Sequence, residues 1–492
     1  MDQRARIPVG PPVNDPLPSY WHNPKSPHAR TIEPETSNPS QTYDYAIIGS
    51  GISGTMIAHN LLKCHPESRI VMVEAREICS GATGRNGGHT KAASYRSYMH
   101  HVQELGKEEA LKIARLEYAN IVETHGMAKE MGIKCESEMC ETVDVIYDKK
   151  TFELGKTAIQ ALRVDARDDE KGDGKMAWYK IHENEEAVRQ RFHVADTNGN
   201  STLQHKEEVA GFFVYVAGRI HAYRFTTGVL KHCVQQGLVL CANTPVHAIL
   251  PSTNSTNTGD SAWDIFTQYT TLQSRHVVLA TNGYTPYLLN SLQGAIVPMR
   301  GQITAQRPGP RHKLTSPLPT TYSFIYRDGY EYMIPRPLDD GSQHIIIGGG
   351  LGRLPAAGAS EYGTVDDSSL NSQISTYLNE SVVGYFGAEN WGEGSEDDKS
   401  QRMVQEWTGI MGATADGRPF VGEVPGKKGM WISAGFNGHG MVLCLKSAQG
   451  LVEMMQGKGR PEWFAESFLI TEERIQTARF VGRRDVQVRC SS

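Results

Sequence analysis

The stretch YDYAIIGSGISGTMIAHNLLKCHPESRIVMVEA, residues 43–75, decides the fold. Tyr43 to Ile48 has the apolar character of a short buried strand and is followed by glycine. Apolar residues spaced three and four apart then predict a helix from Ile52 to Lys63. Arg69 to Glu74 is a second short apolar strand. A strand, a helix and a strand within about 30 residues form the unit of a parallel, doubly wound α/β sheet.

Three glycines in the pattern GxGxxG stand between the first predicted strand and the helix. Gly49 permits the tight turn, Gly51 lets a pyrophosphate approach the backbone, and Gly54 lets helix and strand pack closely. The phosphate charge would then meet free N–H groups and the positive end of the helix dipole. Glu74 ends the second strand, where its carboxylate can accept hydrogen bonds from ribose hydroxyls. The pattern predicts a dinucleotide site and, taken alone, fits NAD as well as FAD.

Composition and charge narrow the class of protein. The 492 residues are 39% hydrophobic and 21% charged, which suits a large globular chain of two or three domains. A net charge of −5 without a Lys/Arg-rich run argues against a nucleic-acid partner. The cysteines form no CxxC pair, so we expect no metal site. No apolar run approaches the ~20 residues of a membrane span, and no signal peptide pattern is present, so we expect no membrane partner and a cytoplasmic location.

The remaining organisation is less regular. Residues 1–42 form a Pro/Ser/Asn-rich arm that cannot bury enough apolar surface to fold alone. The arm either wraps along the domain surface, with Tyr20 and Trp21 as anchors, or stays loose. We also expect a polar surface insertion, a hairpin loop and a long amphipathic helix, at residues 174–208, 251–261 and 101–131 respectively.

A glycine-rich loop from Cys79 to His89 follows Glu74 and indicates backbone held against a flat ligand, with Arg85 available for a phosphate or ring oxygen. Here the sequence resembles the D-amino acid oxidase-like (DAO) superfamily of FAD enzymes, which includes sarcosine oxidases and γ-glutamylputrescine oxidases. The six matching segments, in family order, are YAIIGSGISG (45–54), VMVEA with SGATGRNGG (71–75 and 80–88), RIHAYRFTTGVL (219–230), VVLATNGYTPYLL (277–289), VPMRGQ (297–302), and DGRPFVGEVP with ISAGFNGHGM (416–425 and 432–441).

The resemblance implies a discontinuous, doubly wound FAD-binding domain and an antiparallel-sheet α+β substrate domain. The FAD-binding domain is expected at residues 43–100, 217–295 and 405–470, and the substrate domain at 101–216 and 296–404. The resemblance also implies hydride transfer from a C–N carbon of an amine or amino acid to flavin N5, giving an imine and, with oxygen, hydrogen peroxide. The expected partners are a small amine or amino acid and molecular oxygen or another electron acceptor.

The resemblance assigns cofactor contacts residue by residue. The Ala280–Gly283 turn matches a second dinucleotide contact, and Val246 matches the adenine-side strand. The Gly435–Met441 loop resembles one that opens a helix facing the flavin pyrimidine, where a positive helix end stabilises reduced flavin. The predicted cofactor-binding residues are Gly49, Gly51, Ile52, Ser53, Gly54, Glu74, Ala75, Ser80, Gly81, Ala82, Thr83, Arg85, Asn86, Gly87, Gly88, His89, Val246, Ala280, Thr281, Gly283, Gly435, Asn437, Gly438, His439, Gly440 and Met441.

The candidate catalytic residues are Tyr332, Arg336 and His439. Tyr330, Tyr332 and Arg336 lie on one expected antiparallel strand and are candidate walls of the substrate site. Arg336 could form a forked pair with a substrate carboxylate, or could be a surface arginine at a sheet edge. His439 and His89 are placed to flank the flavin. No strong base is required if the amine arrives unprotonated, since catalysis then rests on positioning and exclusion of water.

Two departures from the family refine these expectations. The segment Gly409–Thr414 lacks the cysteine that sarcosine oxidases use to attach FAD. The histidine that dimethylglycine dehydrogenases carry has no match either, since the nearest residue in this chain is Arg85. We therefore predict non-covalent FAD. The strand His344–Ile347 lacks the oxygen-activating lysine of monomeric sarcosine oxidases, so a dehydrogenase is an alternative to an oxidase. The alternatives are a tailoring enzyme that oxidises a larger nitrogen-containing metabolite and a non-catalytic flavin-binding protein.

Overall fold

The computed structural model describes residues 1–25, 42–252, 263–394 and 399–483. The strands in these ranges are β1 Thr42–Ile48, β2 Ile70–Val73, β3 His89–Thr90, β4 Glu138–Ile146, β5 Tyr179–Glu183, β6 Gly211–Arg219, β7 Val239–Cys241, β8 Val246–Pro251, β9 Trp263–Thr267, β10 Thr271–Leu279, β11 Ile296–Gln306, β12 Thr321–Tyr326, β13 Gly329–Pro337, β14 Gln343–Gly349, β15 Met403–Thr414, β16 Phe420–Glu423 and β17 Met430–Ala434. The helices are α1 Asp2–Ala5, α2 Ile52–Cys64, α3 Tyr95–Leu105, α4 Lys107–Glu130, α5 Lys149–Asp165, α6 Glu186–Arg191, α7 Ala222–Gln235, α8 Thr285–Leu288, α9 Pro355–Gly358, α10 Ser372–Phe386, α11 Ala388–Trp391, α12 Cys444–Met455 and α13 Glu472–Gln476.

The first sheet has the parallel core that residues 43–75 predict. Its strand order is β16-β17-β10-β1-β2-β7, and all of these run parallel except β16. The apolar runs of β1 and β2 are buried because helices α2, α7 and α12 cover one face of the sheet. Leu288, Leu289 and Leu292 pack in the cluster on the other face. The expected α/β fold class is confirmed.

The second sheet is mainly antiparallel, in the order β15-β11-β14-β13-β12-β4-β6-β3, with β5 added beside β6. Its one parallel pair in the described chain joins β12 and β4. Side chains alternate between two cores, as a strand requires. Phe212 packs in the cluster that contains α10, and its neighbour Phe213 stacks on Phe152 of α5.

Several elements differ from the expectations. The helix expected over residues 101–131 begins earlier, and Gly106 at φ 84° divides it into α3 and α4. The predicted domain boundary at residue 405 falls inside β15, which pairs with β11 in the second sheet. The polar segment 174–208 contains β5, which pairs with β6. The domain limits stay a prediction.

Tyr20 and Trp21 are 8% and 4% exposed, so the described part of the N-terminal arm packs on the body of the protein. Residues 26–41 of the arm, 253–261 of the expected hairpin loop and residue 262 after it lie outside the described residues. Within the described ranges no helix is both long and apolar enough to cross a bilayer.

Candidate active site

The first turn of the site is built by glycines that leave no room for a side chain. Gly49 has φ +108°, and a Cβ there would lie 2.6 Å from the carbonyl oxygen of Ala280. A Cβ on Gly54 would lie 2.0 Å from the carbonyl oxygen of Gly49. Gly51 is close to Thr83, whose Oγ1 accepts a hydrogen bond from the first N–H of α2 at 3.0 Å. These contacts fix the end of β1 against the start of α2.

Glu74 lies beside this turn at the end of β2. Its carboxylate accepts hydrogen bonds from Ser50 N at 3.0 Å and Ser50 Oγ at 2.7 Å. The other carboxylate oxygen accepts from Arg76 N at 3.1 Å. Three donors therefore orient the carboxylate at the cavity wall, in the position expected for a group that binds ribose hydroxyls.

Two arginines share one carboxylate next to Glu74. Arg76 donates to both oxygens of Asp367 at 2.9 and 3.0 Å, and Arg85 Nε lies 3.5 Å from the same carboxylate. Arg85 also donates to the carbonyl oxygens of Ser80 and Thr408. Both guanidinium groups line the cavity beside the Gly49 turn, in the part of the lining called here the phosphate wall, because guanidinium donors suit a phosphate.

The Gly435–Met441 loop forms the second glycine-rich wall. Gly435 and Gly438 have φ of +78° and +82°, and Asn437 has φ 54°. The side-chain oxygen of Asn282 accepts hydrogen bonds from Gly435 N at 3.0 Å and Phe436 N at 3.3 Å. A 3₁₀ turn at Gly440–Val442 follows the loop, so helix α12 starts only at Cys444.

The two glycine-rich walls belong to one cavity, which residues from both sheets line. The predicted residues that line it are Gly49, Gly51, Ile52, Ser53, Glu74, Ala75, Gly81, Ala82, Thr83, Arg85, Asn86, Gly87, His89, Val246, Ala280, Thr281, Tyr330, Tyr332, Gly438, His439, Gly440 and Met441. The dinucleotide turn and the C-terminal glycine loop thus face a common space.

Six predicted cofactor residues do not line this cavity. They are Gly54, Ser80, Gly88, Gly283, Gly435 and Asn437. Their positions explain this difference, because they pack the backbone behind the cavity wall. A Cβ on Gly283 would lie 2.4 Å from the carbonyl oxygen of Met411, and one on Gly88 would lie 2.3 Å from that of Ile220.

Arg336 also lies outside the residues that line the cavity, although the sequence placed it at the substrate. Its guanidinium pairs with Glu136 at 3.1 Å and lies over the rings of Tyr20 and Trp21. Arg336 comes four residues after Tyr332 on β13. Four residues of strand span roughly 13 Å, so Arg336 reaches the N-terminal arm, whereas Tyr332 faces the cavity.

The sequence reasoning missed two other arginines at the cavity wall, Arg96 and Arg483. The guanidinium of Arg96 stacks 3.9 Å from the centre of the Tyr330 ring. Arg483 Nη2 donates to the Tyr330 hydroxyl at 2.9 Å. Arg96 is a single cation on an amphipathic helix, and Arg483 lies beyond the last matching motif, so neither carries a local sequence signal.

Lys91 is a third missed cation that lines the cavity. Its Nζ pairs with Asp144 and donates to Ser323 Oγ at 2.8 Å, and it lies 5.2 Å from the centre of the Tyr215 ring. Burial lowers the pKa of Lys91 to about 8, because Asp144 only partly offsets the desolvation and Arg96 adds to it. Lys91 can therefore exchange a proton near neutral pH.

Asp144 completes the surroundings of Lys91. The second oxygen of this buried carboxylate accepts hydrogen bonds from the hydroxyls of Tyr95 at 2.7 Å and Tyr215 at 2.9 Å. Burial raises the pKa of both tyrosines well above the usual value. The tyrosines stay protonated, so Lys91 is the group of this cluster that titrates near neutral pH.

The two predicted histidines differ in their surroundings. His89 Nε2 lies 2.8 Å from Thr321 Oγ1, and burial holds the pKa of His89 well below its usual value. His89 is thus neutral. His439 Nδ1 lies 3.1 Å from the carbonyl oxygen of Asn437, inside the glycine loop. Both rings line the cavity, where the sequence placed them beside the flavin.

The cavity also contains one thiol, that of Cys444. Burial raises the pKa of this thiol, so it stays protonated and is a poor nucleophile. In the described part of the chain, no group of His, Cys, Asp and Glu side chains could hold a metal ion.

These features are those of a dinucleotide-binding protein, and comparison with known proteins gives its family and reaction class. Residues 44–454 match the family DAO, FAD dependent oxidoreductase, and the chain belongs to this family. The protein is therefore an FAD-dependent oxidoreductase, and the cavity fits its cofactor. Backbone is open to the cavity at Gly81 of the phosphate wall, where a Cβ would meet no atom within 4 Å. Glu74 lines the same wall.

Individual relatives agree with this family. The chain is 19% identical over 425 residues to the probable oxidoreductase OrdL of Haemophilus influenzae, covering 84% of this chain and 83% of the relative. Glycine oxidase from Geobacillus kaustophilus superposes with a TM-score of 0.63 at 18% identity, covering 88% of this chain and 99% of that one. L-proline dehydrogenase from P. horikoshii gives 0.63 at 19% identity, covering 87% and 96%. These structural matches support the fold.

Proposed function

We propose that the protein oxidises the C–N bond of a small amine that carries a carboxylate, such as an amino acid, to the imine. The charge of the cavity wall carries this proposal. Among the described lining residues Glu74 is the only carboxylate, and it lies at the phosphate wall. Lys91, Arg96 and Arg483 line the cavity on the side built by α3 and the second sheet. A buried cationic wall favours an anionic substrate. The glycine oxidase and proline dehydrogenase neighbours are named for substrates of this class.

Arg96 and Arg483 are suited to hold the substrate carboxylate. Both are placed by the same residue, since Arg96 stacks on the Tyr330 ring and Arg483 binds its hydroxyl. A guanidinium held flat against a ring is already oriented for a charge-assisted hydrogen bond to a carboxylate. Tyr332 closes the neighbouring wall, and its ring packs against Gly87 and Gly348. The two tyrosines therefore limit the volume that water can occupy.

Lys91 is suited to take the proton that the substrate ammonium must lose. When Lys91 is neutral, its Nζ accepts this proton, and Asp144 balances the charge that forms. The amine then has the lone pair that assists loss of hydride from the neighbouring carbon, and the product leaves as the protonated imine. FAD, when bound, supplies the two-electron oxidation by accepting the hydride and passes the electrons to oxygen, giving hydrogen peroxide, or to another acceptor.

Anaerobic bleaching of the flavin across matched pairs of compounds tests the proposal. Each pair contains an amino acid and the amine without its carboxylate, such as proline with pyrrolidine and sarcosine with dimethylamine. We expect at least one amino acid to bleach the flavin about 100-fold faster than its partner, which corresponds to two factors of ten at 1.4 kcal/mol each. Equal rates within every pair, or no bleaching by any compound, would refute it. Peroxide formed in air, or reduction only of an artificial acceptor, then separates oxidase from dehydrogenase.

A second candidate, oxidation of a larger nitrogen-containing metabolite, is favoured by an adjoining cavity. This cavity shares Tyr330, Tyr332 and Arg483 with the first and continues past them to an apolar wall that includes Leu354 and Ile374. An extended substrate could place its tail there. Leu354→Trp would then slow bleaching by long substrates and leave small amino acids unaffected. If small amino acids bleach the flavin rapidly and longer ones do not, the second candidate is wrong.

A further inference from the structure

The described part of the N-terminal arm, residues 1–25, lies before the family match, which starts at residue 44. It nevertheless contacts the cofactor cavity. Pro11 and Pro12 line this cavity together with Glu74 and Arg76. The other described residues that line the cavity lie within the family region, except Arg483, which follows it. The arm is therefore part of this site.

The first anchor of the arm holds residues 4–7. Arg4 donates to the carbonyl oxygens of Tyr362 at 2.6 Å and Ser360 at 2.8 Å. Gln293 Nε2 donates to those of Ala5 at 2.6 Å and Ile7 at 2.9 Å. The side chain of Ala5 is buried in a cluster with residues of β11 and β15. Several contacts thus fix the chain just before the two prolines.

The second anchor holds residues 13–20. Arg76 donates to the carbonyl oxygen of Val13 at 3.2 Å, and Leu17 N donates to that of Asp367 at 2.8 Å. The same Arg76 and Asp367 form the buried ion pair of the phosphate wall. Further bonds join Ser19 Oγ to the carbonyl oxygen of Gly84 at 2.7 Å, and the Tyr20 hydroxyl to His344 Nδ1 at 2.7 Å.

Between these anchors the chain passes over the cavity. Gly10 approaches Val365, because a Cβ on Gly10 would lie 3.7 Å from a methyl carbon of that valine. Two consecutive prolines follow, which restrict the backbone and lower the entropy lost when this segment is held in place. A stiff segment fixed at both ends acts as a wall of the cavity.

We propose that the N-terminal arm forms part of the FAD site, with Pro11 and Pro12 closing the cavity beside the adenosine half of the cofactor. The adenosine half is assigned because Arg76, which holds Val13, donates from its backbone N–H to the Glu74 carboxylate, the group that the sequence pattern assigns to the ribose hydroxyls. FAD can leave past this wall only after the second anchor opens. The arm therefore slows release of a cofactor that no covalent bond retains. This inference rests on FAD binding by the family and is independent of the substrate proposed above.

The first test loosens the wall. In the holoenzyme, P11G/P12G is compared with P66G/P310G, which removes two exposed prolines outside the arm. Both variants lose the same restriction of the unfolded chain, so any general loss of stability is matched. Flavin fluorescence after dilution gives the rate of FAD release. We expect release about tenfold faster for P11G/P12G and unchanged for the control, while the melting temperatures of the two apoproteins agree.

The second test locks the wall. G10C/V365C in a Cys64→Ser background, which removes the one exposed thiol among the described residues, can form a disulfide between the arm and residue 365. Oxidation of the holoenzyme should slow FAD release about tenfold, and a reductant should restore the original rate. If neither the loosened nor the locked variant changes the release rate, the arm is not part of the FAD site. Flavin bleaching by substrate is a separate measurement, so failure here leaves the proposed function standing.

Discussion

The phosphate wall and the cationic wall of the cavity are built in different ways. At the phosphate wall, ligand-facing backbone comes from closely spaced glycines such as Gly49 and Gly51, and their spacing fixes the geometry. At the cationic wall, Lys91, Arg96 and Arg483 come from three separate parts of the chain. The first wall depends on backbone space and the second on side-chain charge. Substitutions at the two walls should therefore fail in different ways.

The largest effect is expected for Gly54→Ala. The added methyl would lie 2.0 Å from the carbonyl oxygen of Gly49, so α2 must move away from the turn. Overpacking at such a rigid backbone contact costs about 3 kcal/mol or more. We expect the purified protein to contain little FAD and to melt at a lower temperature, as measured by flavin absorbance and thermal denaturation.

Gly126→Ala is the matched control for Gly54→Ala, because Gly126 lies inside α4 and its Cβ would meet no atom within 4 Å. This change should stabilise the protein by about 1 kcal/mol, since alanine favours a helix interior over glycine. A Gly54→Ala protein with normal FAD content would show that the turn tolerates a displaced helix.

The second effect concerns the charge of the cationic wall. Arg96→Gln keeps a polar side chain but removes the cation that stacks on Tyr330. Losing a charge-assisted hydrogen bond to a desolvated carboxylate costs about 3 kcal/mol, so kcat/KM for an amino acid should fall about 100-fold. The matched amine without a carboxylate should be nearly unaffected. A similar loss for both compounds would place Arg96 in the framework of the site instead of at the substrate.

The third effect is a shift of the pH profile. Neutral Lys91 accepts the substrate proton, so kcat/KM should rise with pH through the pKa of about 8. Asp144 raises the pKa of Lys91, so Asp144→Asn should move this rise to lower pH. Lys91→Met should remove the Lys91-dependent rise and lower the rate. The pKa of free substrate is the same for every variant, so an unshifted profile in Asp144→Asn would exclude Lys91 as the proton acceptor.

The contrast between the walls also explains what the sequence could predict. Gly49, Gly54 and Glu74 act within one strand-helix-strand unit, so the distances between them along the chain carry their geometry. The glycine loop at Gly435 was identified through the family resemblance, although α12 begins only at Cys444. The link between the two loops depends on how the sheets pack, which the motifs do not specify.

At the cationic wall, formed by Lys91, Arg96 and Arg483, alternation along β13 groups Tyr330 with Tyr332, both of which line the cavity, but it also includes Arg336. Arg336 has the same parity as both tyrosines, yet the cavity ends before it. The depth of a cavity along a strand depends on neighbouring elements, here the N-terminal arm at Tyr20. Arg483 is close to the C-terminal end of the described chain, and no periodic pattern could place it beside Tyr330.

The smallest kinetic effect is expected for Arg336→Gln, which tests whether that residue lies away from the substrate. Glu136 keeps a second partner, because Arg224 lies 2.9 Å from it. The loss is therefore one partly buried ion pair and the contact with the rings of Tyr20 and Trp21. We expect a stability loss of about 1–2 kcal/mol, measured by urea unfolding, and kcat/KM within about twofold of wild type. Arg336→Gln and Arg96→Gln make the same chemical change. An equally large fall in kcat/KM for both would therefore show that Arg336 acts at the substrate.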